Sequence, residues 1–126
     1  MRKPISPNLH GLLDYATMAA VFLAPRLLPM PRRARRTARR LAAGYTAMSA
    51  MTEYPLAVRP TLPWRTHGQV DRVLGALLPT LPFLFGFGRH RAARNFFLGL
   101  AAVTVAVTLL TDWDRTPEVA AGNGAA

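Results

Sequence analysis

The chain has 126 residues, 51% of them hydrophobic, and sixteen lysines and arginines against six acidic residues give a formal net charge of +10. That length allows one domain, and the absence of cysteine excludes a disulfide framework and thiolate chemistry. A basic surplus of this size usually points to nucleic acid or an anionic surface, but here most of the arginines sit in short stretches between apolar ones, as the positive-inside bias of a membrane protein requires.

The first helix is predicted to begin at Ser6-Pro7, with Ser6 as N-cap and Pro7 at the first helical position. It should run to about Met30, where Pro29 and Pro31 stop it. Arg2 and Lys3 ahead of the apolar stretch from Tyr15 to Pro25 imitate a signal peptide. His10 and Asp14 interrupt that pattern and no small-residue cleavage site follows, so the segment is expected to stay as a helix. A second helix is expected from about Arg35 to Tyr54, ending at Pro55, with Arg32, Arg33, Arg35, Arg36, Arg39 and Arg40 around its start. A third begins near Pro63 and ends at the helix-stop signal Gly86-Phe87-Gly88. Arg89, Arg91 and Arg94 lead into a fourth, from about Arg91 to Trp113, and His90 in that basic loop is expected to be solvated. Pro25, Pro29, Pro79 and Pro82 read as kinks that let the first and third helices splay. Residues 114–126, with Pro117 and Gly-Asn-Gly, are expected to form a disordered tail.

One pattern occurs twice. His10-Gly-Leu-Leu-Asp14 is followed eleven residues later by Pro25, and His67-Gly-Gln-Val-Asp71 eleven residues later by Pro82. Leu41-Ala42-Ala43 leading to Thr52-Glu53-Tyr54 matches Leu100-Ala101-Ala102 leading to Thr111-Asp112-Trp113. The offsets are 57 and 59 residues. The expectation is a tandem duplication, with repeat 1 at about residues 6–54 and repeat 2 at about 63–113, inside one membrane domain spanning 1–126. The uncharged runs, 16 residues from Val73 to Gly88 and 17 from Asn95 to Thr111, fall short of the usual span of about 20. Against that, the apolar segments lack the polar face that a helix on a soluble bundle needs. The fold class expected is therefore all-α, a four-helix transmembrane bundle of two tandem, parallel-oriented helical hairpins. Nine arginines lie in the two intra-hairpin loops, which places those loops in the cytoplasm and the termini outside an inner membrane.

The residues that could carry chemistry, His10, Asp14, Glu53, His67, Asp71 and Asp112, should gather at the end of the bundle away from the arginines. The preferred reading makes them interface markers: each His–Asp pair shares a helix face, one turn from the helix start and open to water, with Arg59, Arg65 and Arg72 near enough to neutralise it. A second reading is an ion or proton site using Asp14 and Asp71, since ionisable groups within spans are costly and often functional. A third is a metal or haem centre, for which the Glu-x-x-His spacing of di-iron bundles is missing. No cofactor or metal is expected, and no motif is specific enough to name an enzyme. The arginines Arg32, Arg33, Arg35, Arg36, Arg39, Arg40, Arg89, Arg91 and Arg94 are expected on anionic lipid headgroups rather than nucleic acid. The partners expected are the bilayer itself and a homo-oligomer or larger membrane complex, with the chain a structural or interaction component.

The unit His-x-x-x-Asp, an apolar helix ending in Pro and Gly-Phe, then a second apolar helix, is carried by His10 to Pro25 and by His67 to Pro82 with Gly86-Phe87. It resembles the SPW-repeat family of small bacterial membrane proteins over about residues 6–113. In the places of the signature triplet, Ala24-Pro25-Arg26 and Leu81-Pro82-Phe83, the prolines match. The resemblance implies two spans per repeat and a bacterial membrane, and it implies no activity.

Overall fold

Ser6 caps the first helix: its hydroxyl accepts from the Leu9 amide at 3.2 Å, and Pro7 takes the first turn, where a missing N–H costs nothing. In the computed structural model, which describes residues 2–118, α1 runs Pro7–Leu27, α2 Arg32–Met51, α3 Trp64–Leu77, α4 Leu81–Leu84 and α5 Arg91–Leu110. A 3-10 turn, Leu78–Thr80, joins α3 to α4, so these make one interrupted rod and the chain is all-helical with four rods. The tail expected at 114–126 falls mostly outside the described residues.

The boundaries depart from the expected ones for local reasons. α1 stops at Leu27, because Pro29 forces Leu28 into extended geometry (φ −116°, ψ 144°). α2 starts at Arg32, with Pro31 in the N-cap place. The third rod is broken where Pro79 and Pro82 withhold two amides. Leu78 and Leu81 nevertheless keep right-handed helical angles, so the chain does not turn away. It ends at Gly86, whose φ of +75° only glycine adopts readily, with the Phe87 amide bonded to the Pro82 carbonyl at 2.8 Å.

α2 and α5 end at Met51 and Leu110, short of Tyr54 and Trp113, because the next residues turn extended and find partners elsewhere. Thr52 bridges Leu62, and Thr111 bridges Ile5, each in parallel sense. Ile5 and Leu62 are 57 residues apart, and Thr52 and Thr111 are 59 apart, the same offsets as in the repeated motifs. The start of each half is thus sewn to the end of an α2 or α5 helix, and these bridges satisfy backbone groups the helix ends leave open.

α1 packs on α2, and α3 with its continuation packs on α5. The apolar core fills the arginine-bearing half of the bundle. Ala34, Ala38 and Ala42 form one stripe on α2, and Ala93, Phe97 and Ala101 form another on α5. Small side chains four residues apart let the rods approach closely. Many large apolar side chains face outward: Leu27 is 78% exposed, Leu84 70% and Leu109 65%. Among the described residues one helix, α5, is long and apolar enough to cross a membrane by length and composition.

A buried histidine–carboxylate centre as candidate site

His10 and Asp14 lie one turn apart on one face of α1, and His67 and Asp71 repeat the arrangement on α3. The two faces meet. Both imidazoles are fully buried, and Asp14 and Asp71 are 6% and 2% exposed. His10 Nε2 stands 3.1 Å from Asp71 Oδ2 and 3.3 Å from Asp14 Oδ1. His67 Nε2 stands 3.1 Å from Asp14 Oδ2 and 3.6 Å from Asp71 Oδ2. Each histidine is therefore closer to the carboxylate of the other helix than to its own. His10 Nε2 nevertheless has no aligned hydrogen-bond partner among the described residues.

The outer nitrogens are held by threonines in a crossed pattern. His10 Nδ1 is 2.8 Å from Thr111 Oγ1, and His67 Nδ1 is 2.7 Å from Thr52 Oγ1. Each threonine donates its own proton one turn back, Thr111 to Val107 O and Thr52 to Met48 O. The hydrogen between threonine and imidazole must then belong to Nδ1. In the neutral imidazole, Nε2 presents its lone pair to the carboxylates.

α2 supplies the rest. The Tyr45 hydroxyl lies 3.1 Å from Asp14 Oδ1, 2.6 Å from Asp71 Oδ1 and 3.1 Å from His67 Nε2, and Ser49 approaches Asp14 Oδ2 at 3.5 Å. Aromatic rings close the terminal side. Trp64 and Trp113 stack at 4.5 Å between centroids, and both meet His10 edge-on. Tyr54 packs close over Gly11 and Trp113 close over Gly68, where the missing Cβ makes room for them. A Cβ on Gly68 would stand 2.7 Å from the Trp113 ring, and one on Gly11 would collide with Tyr54. Burial pushes the Tyr54 hydroxyl above the usual tyrosine range, so it stays protonated in this lid. On the opposite side a cavity of about 30 Å³, lined by Leu13, Asp14, Tyr45, Asp71, Thr104 and Val107 among others, has room for one water-sized molecule.

Several expectations need correction. Asp14 and Asp71 are not open to water at the interface: their side chains meet those of the two histidines between α1 and α3, with Tyr45 and Ser49 of α2 beside them and the aromatic rings closing the terminal side. Glu53 and Asp112 stand outside the centre, half-buried. The cause is the extended backbone after α2 and α5, where successive side chains alternate. Thr52 and Tyr54 point in and Glu53 points away, and Thr111 points in where Asp112 does not. Nor do arginines neutralise the pair. Arg65 reaches exposed Asp114 at 3.6 Å, and Arg72 lies over the Trp113 ring. His90 is half-buried, its Nδ1 without a partner among the described residues. Tyr45, Ser49, Thr52 and Thr111 were not anticipated. The signal was available: Tyr45, Ser49 and Thr52 fall on one helical face, and both threonines open the repeated tripeptides.

At the far end, the arginines of α2 are exposed, and among the described residues none has a carboxylate partner. Arg33, Arg36 and Arg40 border a groove with Leu84 and Phe85.

Chemically, two carboxylates and two imidazoles enclosed in a low-dielectric bundle can hold a cation or pass a proton. They are not arranged as a nucleophile with its base. No family model matches the chain, and no curated protein and no solved structure is significantly similar to it.

Proposed function

We propose that the chain is a small multi-pass membrane protein of two tandem, parallel hairpins, and that its work is done by a cation held at the His10–Asp14–His67–Asp71 centre. The observation that carries this reading is an inversion of polarity: the histidines and carboxylates that are buried among the described residues face one another inside, while many leucines and phenylalanines stand exposed outside. A soluble bundle gains from the reverse arrangement, and a bilayer favours this one.

Other features support it. α1, with 21 residues, is roughly 31 Å long at 1.5 Å per residue, near the bilayer's hydrocarbon thickness. Helical side chains lean toward the N-terminus, so Arg39 and Arg40 reach back to the arginine end. There the basic cluster suits the anionic headgroups of a bacterial cytoplasmic leaflet. The resemblance to the SPW-repeat family points the same way and rests on the repeated His-x-x-x-Asp units, prolines and Gly86-Phe87 alone.

Membrane fractionation tests the location. The chain should stay in the pellet through high-salt and alkaline washes, because apolar helices and not arginines hold it; release by salt alone overturns the reading. Proton handling is the second reading, favoured by the Tyr45 hydroxyl that touches both carboxylates and His67.

A further inference from the structure

We infer that the centre is a binding site for one borderline divalent transition-metal ion, of which Zn²⁺ is the type, held by Nε2 of His10 and His67 and by one carboxylate oxygen each from Asp14 and Asp71. This rests on the reading of the cluster as a cation site and names its occupant.

The geometry is the first argument. Zinc bonds imidazole nitrogen and carboxylate oxygen at about 2.0–2.2 Å. The ligand atoms around a tetrahedral ion then lie roughly 3.3–3.5 Å apart. The crossed His–Asp separations are both 3.1 Å and the same-helix ones 3.3 and 3.6 Å, and the donor atoms of all four residues lie within 4.8 Å of one another. Such separations are short for four groups that merely pack. They are also not aligned as hydrogen bonds: fully buried His10 Nε2 points into the cluster and finds no partner there. A metal ion satisfies that nitrogen and draws the other three donors to the same point.

The groups behind the four donors fit a metal as well. Metal-bound histidines typically give their other N–H to an acceptor, which fixes the tautomer and the ring. Both histidines here do so, to threonines whose own protons are committed to backbone. The outer oxygens of Asp14 and Asp71 both meet the Tyr45 hydroxyl. Every proposed ligand thus has its second atom within hydrogen-bond reach of a residue on another helix or a bridging segment, with the single Tyr45 proton nearest Asp71 at 2.6 Å.

Charge and softness choose the ion. Two carboxylates and two neutral imidazoles around a divalent cation sum to zero, which a low-dielectric interior favours. Calcium and magnesium prefer all-oxygen sites. With no cysteine in the chain, soft thiolate-seeking ions have no ligand. Nitrogen–oxygen sets suit zinc, iron and their neighbours.

The test uses tag-free, full-length protein in detergent, stripped with chelator and dialysed against Zn²⁺ or Co²⁺ alone. Elemental analysis should give one ion per chain, and Co²⁺ should show the visible absorption of a four-coordinate site. Asp71→Asn and His67→Gln should abolish stoichiometric binding. Thr52→Val and Thr111→Val leave all four ligands in place and should weaken affinity about 10- to 100-fold, so they decide the matter should a ligand variant fail to fold. Glu53→Gln, outside the centre, should bind like the parent. Failure to take up either ion, or uptake unchanged by both threonine variants, overturns the inference. The membrane reading fails separately. A chain that leaves the membrane in salt yet binds one Zn²⁺ refutes location and keeps the metal. A chain that stays in the pellet and binds neither ion refutes the metal alone.

Discussion

At one end of the bundle, two carboxylates and two imidazoles are sealed from solvent and face one another. At the other, six arginines on one helix point outward with no carboxylate partner among the described residues. Both ends concentrate charge, but only the first meets its own needs. Each buried group has a place set by a residue from another part of the chain: Thr111 for His10, Thr52 for His67, Tyr45 for both carboxylates. The arginine end rests on a core of alanines and Phe97 and leaves its charge to be answered from outside. The lesson is that a charge count says little until each charge is given its surroundings.

The sharpest way to break this comparison is to remove one buried partner. Asp71→Ala leaves two imidazoles facing one carboxylate in an enclosed site, and removing one member of a buried charged group costs about 3–5 kcal/mol. Denaturant unfolding in detergent, followed by circular dichroism, should register a loss of that size. A change below about 1 kcal/mol, typical of exposed pairs, would mean the two ends do not differ in kind.

A smaller effect should come from the aromatic lid. Gly68→Ala places a methyl group 2.7 Å from the Trp113 ring, and overpacking of this sort costs roughly 1–3 kcal/mol. The displaced indole should also change the tryptophan fluorescence. Gly99→Ala is the control: nothing lies within 4 Å of its added Cβ. It should be neutral or stabilise α5 by about 0.5–1 kcal/mol, since alanine suits a helix interior better than glycine.

Much of the architecture was legible because it rests on local signals. Ser6-Pro7 marked one helix start, Gly86 a helix end, and the doubled His-x-x-x-Asp spacing gave the four residues that meet. Their depth was not legible. One turn from a helix start suggests exposure, and only long-range closure reverses it: the crossed His–Asp contacts between α1 and α3, the Ile5–Thr111 and Thr52–Leu62 bridges, and Trp64 stacked on Trp113. The same bridges explain why Glu53 and Asp112 stand outside the centre. A helix ending three residues early flips which side chain points inward, and helix periodicity alone carries no sign of where a bridge will form.

The mildest perturbation belongs to the arginine end. Arg36 is exposed and without a carboxylate partner among the described residues, so its side chain adds nothing to internal pairing. Arg36→Ala should leave unfolding stability within about 0.5 kcal/mol of the parent, as surface substitutions usually do. Its effect should appear in what surrounds the protein. A basic residue near an anionic headgroup contributes about 1 kcal/mol, which is roughly fivefold in affinity. Retention of an anionic over a zwitterionic phospholipid by the detergent-purified chain should fall by about that factor, and less in high salt, where the attraction is already screened. Arg65→Ala, on an arginine that meets exposed Asp114 at the opposite end, should leave lipid retention alone. Equal loss of lipid from both variants would show that charge anywhere on the chain recruits it, and the contrast between a self-contained end and an end with unpaired charge would dissolve. A loss confined to Arg36 ties lipid retention to the unpaired charge of the arginine end.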